Sequence, residues 1–416
     1  MEEQSRDVAR LEVPRVGRVV ETGDDQAPYV LIDEAGLSVA SVAEFLRAML
    51  ADGASASTLR SYCYELLGWM RFLWALDNIA WDRAGRREAR DYALWLGLAP
   101  KQQWRRDPQG PAPGSVNTVT GKPYPTQGYA IETRRHARAV VHAFYEYHRD
   151  EHGRPLLNPF PATRSSAPGG VNSHRNPMQP VRQPLRRAPY QPKAAKRIPR
   201  AIPDERFNEV FAGLRSHRDR ALLAFWVSSA ARATELLAVT RGGADPIEQQ
   251  IAVVRKGSRA EQRLPASIDA FVWLRLYQAQ LGDQVPRGAG DPLWWTLRRP
   301  LRPLAYDAAR MMFTRAQKTL GSNWTIHDLR HTAAYRMAAD PHVSLVDIQW
   351  VLGHAHLSTS EIYLTPSPDQ LVEKLLAHHE RRKSLEAVPA PPAPGYRPEV
   401  LATLFGTTAQ EAQPWR

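Results

Sequence analysis

Cysteine is almost absent: Cys63 stands alone in 416 residues. That excludes an intramolecular disulfide and any zinc site built on paired cysteines. Long apolar runs are missing too. None reaches the roughly 20 residues that a helix needs to cross a bilayer, and Met1-Glu2-Glu3-Gln4 does not begin a secretory signal. A soluble, cytoplasmic protein with no membrane partner is expected. Acidic residues are in deficit, 43 against 55 Lys and Arg, which leaves a formal charge of +12 and a pI near 9.9. Such a balance favours a polyanionic partner; charge alone fits DNA, RNA or an acidic membrane surface. The deficit is most local over residues 161–200, where no Asp or Glu occurs among eight prolines and nine Lys or Arg. A segment so rich in proline stays extended and buries little, so 161–199 reads as a basic linker. Its positive charge suits lying along a phosphate backbone, or it is a solvated tether.

What is present suits folded domains. Apolar residues make up 43% of the chain and include twelve tryptophans, and the length exceeds one usual core. After a mixed extension over 1–36, with a short strand at Tyr29–Ile32, helical spacing dominates. Leu59, Cys63, Leu66, Met70, Leu73 and Trp74 form one stripe, with Ser57 or Thr58 as its cap. Ile131, Val140, Val141, Phe144 and Tyr147 form another, lined by Arg134, Arg135 and Arg138; residues 100–128 between them read as a long loop. From Ile202 a second, mostly helical unit holds one hairpin: strand 251–254, turn Lys256-Gly257-Ser258, return 262–264. A helix over about 368–383 and an apolar segment, Val400–Phe405, complete the pattern. The expected class is mainly α with a small β-hairpin or sheet.

Six residues of the second unit could act as one set: Arg232, Lys256, His327, Arg330, His354 and Tyr363. Arg232 offers a planar guanidinium that grips two phosphate oxygens at once, although an Arg three residues before Glu235 is also an ordinary surface pair. Lys256, in the hairpin turn between Arg255 and Arg259, is either a solvated lysine or a general acid. Thr325 and Asp328 make a capping-box-like start to a helix that carries His327, Arg330 and His331 on one face. Three such groups repel unless an anion lies between them. A metal between the two histidines is the competing reading, disfavoured because a cation sits between them and the Glu of the His-Glu-x-x-His pattern is missing. His354 closes the helix of Leu345, Ile348, Val351 and Leu352, where it could equally offset the helix dipole. Tyr363 follows on a short helix opened by Ser358 and Glu361. A tyrosine there is either half-buried packing or, with cations nearby, a nucleophile.

Together these motifs resemble the tyrosine recombinase (phage integrase) family. The first motif is similar to Arg232-Ala233-Thr234-Glu235-Leu236, the hairpin lysine to Lys256, the His-x-x-Arg box to His327 and Arg330, and the Leu-Gly-His box to Leu352-Gly353-His354. The resemblance implies a helical core-binding domain at 37–160 and an α+β catalytic domain at 200–375; the basic linker and the tail are not general family features, and the tail at 376–416 is a candidate contact with a neighbouring protomer because its apolar Val400–Phe405 suits a partner groove. It implies Tyr363 as nucleophile forming a 3′-phosphotyrosyl link, Arg232 and Arg330 as phosphate clamps, Lys256 as general acid, His327 as base or hydrogen-bond partner, and His354 steadying the phosphate. No metal or cofactor is implied. The partners implied are double-stranded DNA with specific recombination sites, further copies of the chain up to a tetramer, and accessory DNA-binding proteins. Arg134, Arg135, Arg138, Arg186, Arg187, Arg197, Arg255 and Arg259 are the candidate DNA contacts. Ala230 departs from the family, which commonly has glycine there, and the stretch from Arg330 to His354 is about a residue longer than usual, near Asp340-Pro341. A type IB topoisomerase, or an inactive DNA-binding relative, stays open.

Overall fold

The computed structural model describes residues 6–101, 110–161, 189–190, 192–193, 199–363, 375–377 and 380–381. The chain divides into two compact units, 1–197 with 321–323, and 198–320 with 324–416. Among the described residues, no helix is long and apolar enough to cross a membrane.

In the first unit, β1 (Arg18–Glu21) pairs antiparallel with β2 (Tyr29–Ile32), Val19 opposite Leu31. Four helices follow: α1 (Ala40–Ala51), α2 (Ala56–Trp74), α3 (Arg86–Leu98) and α4 (Ile131–His152). The stripe expected from Leu59 to Leu73 is buried along α2. Its cap is Ser55, whose side chain accepts from the Thr58 amide at 3.3 Å, so Ser57 and Thr58 lie inside the first turn. Trp69 anchors an aromatic core, stacked on Phe72 and edge-on to Tyr92 and Phe160. Trp69 Nε1 donates to Tyr145 Oη, which donates to the Trp81 carbonyl, so both buried polar atoms are satisfied. Burial pushes the Cys63 thiol up to about 12, leaving it protonated and inert. The 110–128 part of the expected loop is pinned by isolated bridges, Pro100 to Gly128 and Val116 to Pro123.

The second unit runs through α5 (Asp204–Ala212), α6 (His217–Ser229), α7 (Ala233–Leu237), a small sheet, α8 (Ile268–Leu281), α9 (Tyr306–Lys318), α10 (Ile326–Ala339) and α11 (Leu345–Leu352). Helix α6 is apolar nearly all round, with Ala221 to Trp226 buried, and so takes the centre, packed by α8 and α10. The sheet order is β3 (Ala244–Asp245), β4 (Gln250–Val254), β5 (Glu261–Pro265), all antiparallel. The hairpin β4–β5 matches the expected one; β3 is too short to announce itself in sequence. Trp294 stacks on Tyr277 and donates to the Leu236 carbonyl, which ties α7 to the core.

Candidate active site

Four short segments converge in the second unit, and buried hydrogen bonds fasten them together. Helix α7 begins at Arg232 because Glu235, three residues on, accepts from the Arg232 amide at 3.0 Å and from its guanidinium at 2.7 Å. The same carboxylate takes the Arg255 guanidinium at 3.0 Å and the Lys256 amide at 3.1 Å. Glu235 is 3% exposed. Burial works to raise its pKa, but the Arg232 bond and the amides of Arg232 and Lys256 outweigh it and hold the carboxyl below its ordinary range. Glu235 is therefore a hub joining α7 to the hairpin turn.

The hairpin turn reaches α11 through Arg255. Its guanidinium donates to Gln262 Oε1 at 2.6 Å and to the Val351 carbonyl. At 5% exposure this arginine is a structural brace, which corrects its expected place among the DNA contacts. Lys256 and Arg259, by contrast, are exposed in the turn.

Helix α10 starts at Thr325, whose amide and hydroxyl both donate to Asp328. Arg330, 3% exposed, donates to the Ala230 carbonyl at 2.7 Å and to the Leu352 carbonyl. These acceptors lie two residues before Arg232 and two before His354. One guanidinium thus sets the spacing of both neighbouring motifs. Burial, then the Arg232 charge, lowers Arg330 to about 10, so it stays cationic at neutral pH. Ala230 has a left-handed backbone, φ +53, which costs an alanine on the order of 1 kcal/mol relative to glycine. The Arg330 bond to its carbonyl is part of what holds that conformation. Between α10 and α11, Asp340 Oδ1 accepts from the His342 amide at 2.9 Å.

Helix α11 closes at Gly353, φ +58, and the His354 amide returns to the Gln349 carbonyl at 3.1 Å. A Cβ on Gly353 would lie 3.0 Å from Arg255 Nε. Gly353→Ala is accordingly expected to lose at least about 1 kcal/mol from the positive φ alone, and more as Arg255 shifts. Thermal unfolding checks this, and an unchanged midpoint would contradict it. His354 Nδ1 lies 2.9 Å from Ser360 Oγ. Burial first, then Arg330, Arg232 and Arg255, press His354 down to about 4, so it is neutral and does not serve as a cationic helix cap. An anion among these arginines would relieve that repulsion.

Tyr363 ends a one-turn 3₁₀ helix, Glu361–Tyr363, whose preceding turn is fixed by the Tyr363 amide to the Ser360 carbonyl at 3.0 Å. The ring is 5% exposed and meets Tyr335 edge-on. Its hydroxyl lies 2.8 Å from His331 Nδ1. Burial pushes the phenol up to about 12, only partly offset by Arg330. His327 is exposed one turn before His331, the two rings 4.5 Å apart. The structure thus places Arg232, Arg330, His354 and Tyr363 in one charged neighbourhood, with Lys256 on the adjoining turn.

Three working residues lie outside the set drawn from sequence. Glu235 was visible only as part of a motif, His331 only as a face-mate of His327, and Arg255 was read as a DNA contact. In the first unit, Arg138 donates to the carbonyls of Pro189 and Pro161, and Arg135 to that of Pro192, so both brace the ends of the proline-rich segment. Arg134 lies over Gly97. Arg186, Arg187 and Arg197 fall outside the described residues, as do most of 368–383 and all of Val400–Phe405. Glu44, His148 and His152 bring potential metal ligands within 4.8 Å of one another. They are satisfied internally, His152 by Glu44 and His148 by the Ser41 carbonyl.

Residues 205–379 match the model of the phage integrase family. The chain is 29% identical over 188 residues to tyrosine recombinase XerC of Herpetosiphon aurantiacus, covering 44% of this chain and 61% of that protein. It is 32% identical over 238 residues to tyrosine recombinase XerC 2 of Ralstonia nicotianae, covering 53% and 62%. The chain therefore spans about three-fifths of the length of these curated relatives. Among solved structures, XerH site-specific recombinase bound to palindromic difH substrate, a post-cleavage complex, is similar with a TM-score of 0.52 at 16% identity, covering 80% of this chain and 84% of that one. The fold is shared at that level.

Proposed function

From the match of residues 205–379 to the phage integrase model, we propose that this chain belongs to that family and is a site-specific DNA recombinase that breaks and rejoins strands through Tyr363. The observation that carries the reading is Arg330: one buried guanidinium fastens the carbonyls ahead of Arg232 and His354 while standing close enough to Tyr363 to lower its pKa. Such a cluster of fixed cations is built for a phosphodiester, whose developing charge it stabilises in a water-poor site.

Tyr363 attacks the phosphorus, forming a 3′-phosphotyrosyl link and releasing the 5′ oxygen. Arg232 and Arg330 hold the non-bridging oxygens, His354 donates to one of them, and His327 stands at the exposed edge as a further partner. Lys256 protonates the leaving oxygen from its exposed turn. Bond energy is kept in the phosphotyrosyl ester, so rejoining requires no nucleotide. Attack by a partner strand's 5′ hydroxyl exchanges strands, and four protomers on two sites complete a Holliday junction. Residues 37–160 serve as the core-binding domain, with Arg134 and the linker over 161–199 toward the DNA backbone. The tail from 376 is assigned to contact between protomers, and accessory DNA-binding proteins are further partners.

Two duplexes carrying the site, incubated together, are expected to yield a four-way junction that depends on Tyr363. Relaxation of supercoiled DNA with no junction would favour a type IB topoisomerase instead. Replacing Lys256 by Ala should slow cleavage of ordinary DNA by about 10²–10⁴-fold. A 5′-bridging phosphorothiolate needs no proton on its leaving group and should restore most of that rate. Equal slowing on both substrates would remove the general-acid role.

A further inference from the structure

The His331 ring is held between two neighbours of different kinds. On one side is His327, 4.5 Å away ring to ring; on the other is the Tyr363 hydroxyl, 2.8 Å from Nδ1. Among the described residues, the Tyr363 phenol also feels Arg330 and Tyr335, both on α10. Neither is a carboxylate, so among the described residues the His331 imidazole is the nitrogen base in hydrogen-bond contact with the nucleophile. We propose that His331 Nδ1 is the proton acceptor for Tyr363: it orients the hydroxyl at rest and takes its proton as the oxygen attacks. This rests on the recombinase reading above and adds a catalytic residue to it.

The step balances. The Tyr363 O–H bond breaks as the O–P bond forms, and the proton passes to His331 Nδ1, which requires the neutral tautomer with hydrogen on Nε2. The P–O5′ bond breaks, and that oxygen takes its proton from Lys256. Rejoining reverses both transfers. The need is physical. Burial holds the phenol near 12, so free phenolate is scarce at neutral pH and an acceptor must act during attack. A position four residues from His327 on the same helix face explains how one helix can offer a phosphate-side and a tyrosine-side imidazole together.

The test is the pH dependence of covalent adduct formation by the full chain on nicked duplexes tiled from the DNA flanking its gene, with His331→Asn beside the wild type. Asparagine can keep a hydrogen-bonding atom near the Nδ1 position but cannot accept a proton. Unchanged DNA binding and thermal unfolding confirm that the variant is folded. The expected result is a fall of about 10²–10⁴-fold at neutral pH, with the wild-type plateau replaced by a rate that keeps rising tenfold per pH unit. His327 is present in both proteins, so the difference in profile belongs to position 331. Equal rates, or uniform slowing with an unchanged pH profile, would overturn the proton-acceptor role while leaving Tyr363 as nucleophile. No adduct from the wild type on any duplex would overturn the recombinase reading and this role with it.

Discussion

Tyr363→Phe is expected to bind its DNA site as tightly as the wild type and to form no covalent adduct at all. The hydroxyl is the only group removed, and its contact is with His331 Nδ1 inside the protein. The DNA binding proposed for the arginines and the first unit does not involve it. Stability should change little: one neutral hydrogen bond contributes about 0.5–1.5 kcal/mol, and the ring keeps its edge-on packing against Tyr335. Gel-shift and denaturing-gel assays on the same samples separate the two effects. Cleavage by the phenylalanine variant would assign the nucleophile elsewhere. Loss of DNA binding would show that Tyr363 shapes the site rather than reacting in it.

Glu235→Gln should produce the largest loss of stability. The carboxylate is the shared partner of Arg232 and Arg255, and glutamine leaves Arg255 buried without its counter-charge. Removing one member of a buried ion pair costs about 3–5 kcal/mol. At roughly 2–4 °C per kcal/mol for a unit of this size, the midpoint should fall by on the order of 10 °C. The sign of the pH dependence follows from the depressed pKa of Glu235. A carboxyl held below its unfolded value contributes stability that is fully present above the unfolded pKa and is lost as pH falls through the folded one. The gap between wild type and Glu235→Gln should therefore be widest near neutral pH and close in acid. A gap of a few tenths of a kcal/mol at neutral pH, or one that does not close in acid, would contradict this account. Activity should fall further than stability alone requires, because Glu235 also fixes the Lys256 amide and so the base of the turn that carries the proposed acid.

Sequence reading went furthest where a local rule and a motif coincide. The α10 start was legible because Thr325 and Asp328 are three apart. The β4–β5 hairpin was legible because Lys256-Gly257-Ser258 interrupts two alternating runs. Ala230 stands where the resembled family commonly has glycine, and the structure gives it the positive φ, +53, that glycine favours. What stayed hidden is nonlocal. That Arg255 is buried depends on Val351 and Glu235, 96 and 20 residues away. No property of the Arg255-Lys256 pair tells which one faces inward; the pleat of β4 decides it. His331 pairs with Tyr363 across 32 residues, through a turn whose geometry sequence does not fix. Arg135 and Arg138 looked like an outward basic stripe, yet they donate to the carbonyls of Pro192, Pro189 and Pro161, 57, 51 and 23 residues along the chain.

The central claim is that Tyr363 becomes joined to a DNA 3′ phosphate, and one measurement addresses it directly. The wild-type chain is trapped on nicked suicide duplexes, digested with protease and nuclease, and the nucleotide-bearing peptide is sequenced by mass spectrometry. The account predicts a single modified peptide with the phosphoryl group on Tyr363. A nucleotide on any other side chain, or none from any duplex despite tight binding, would contradict it.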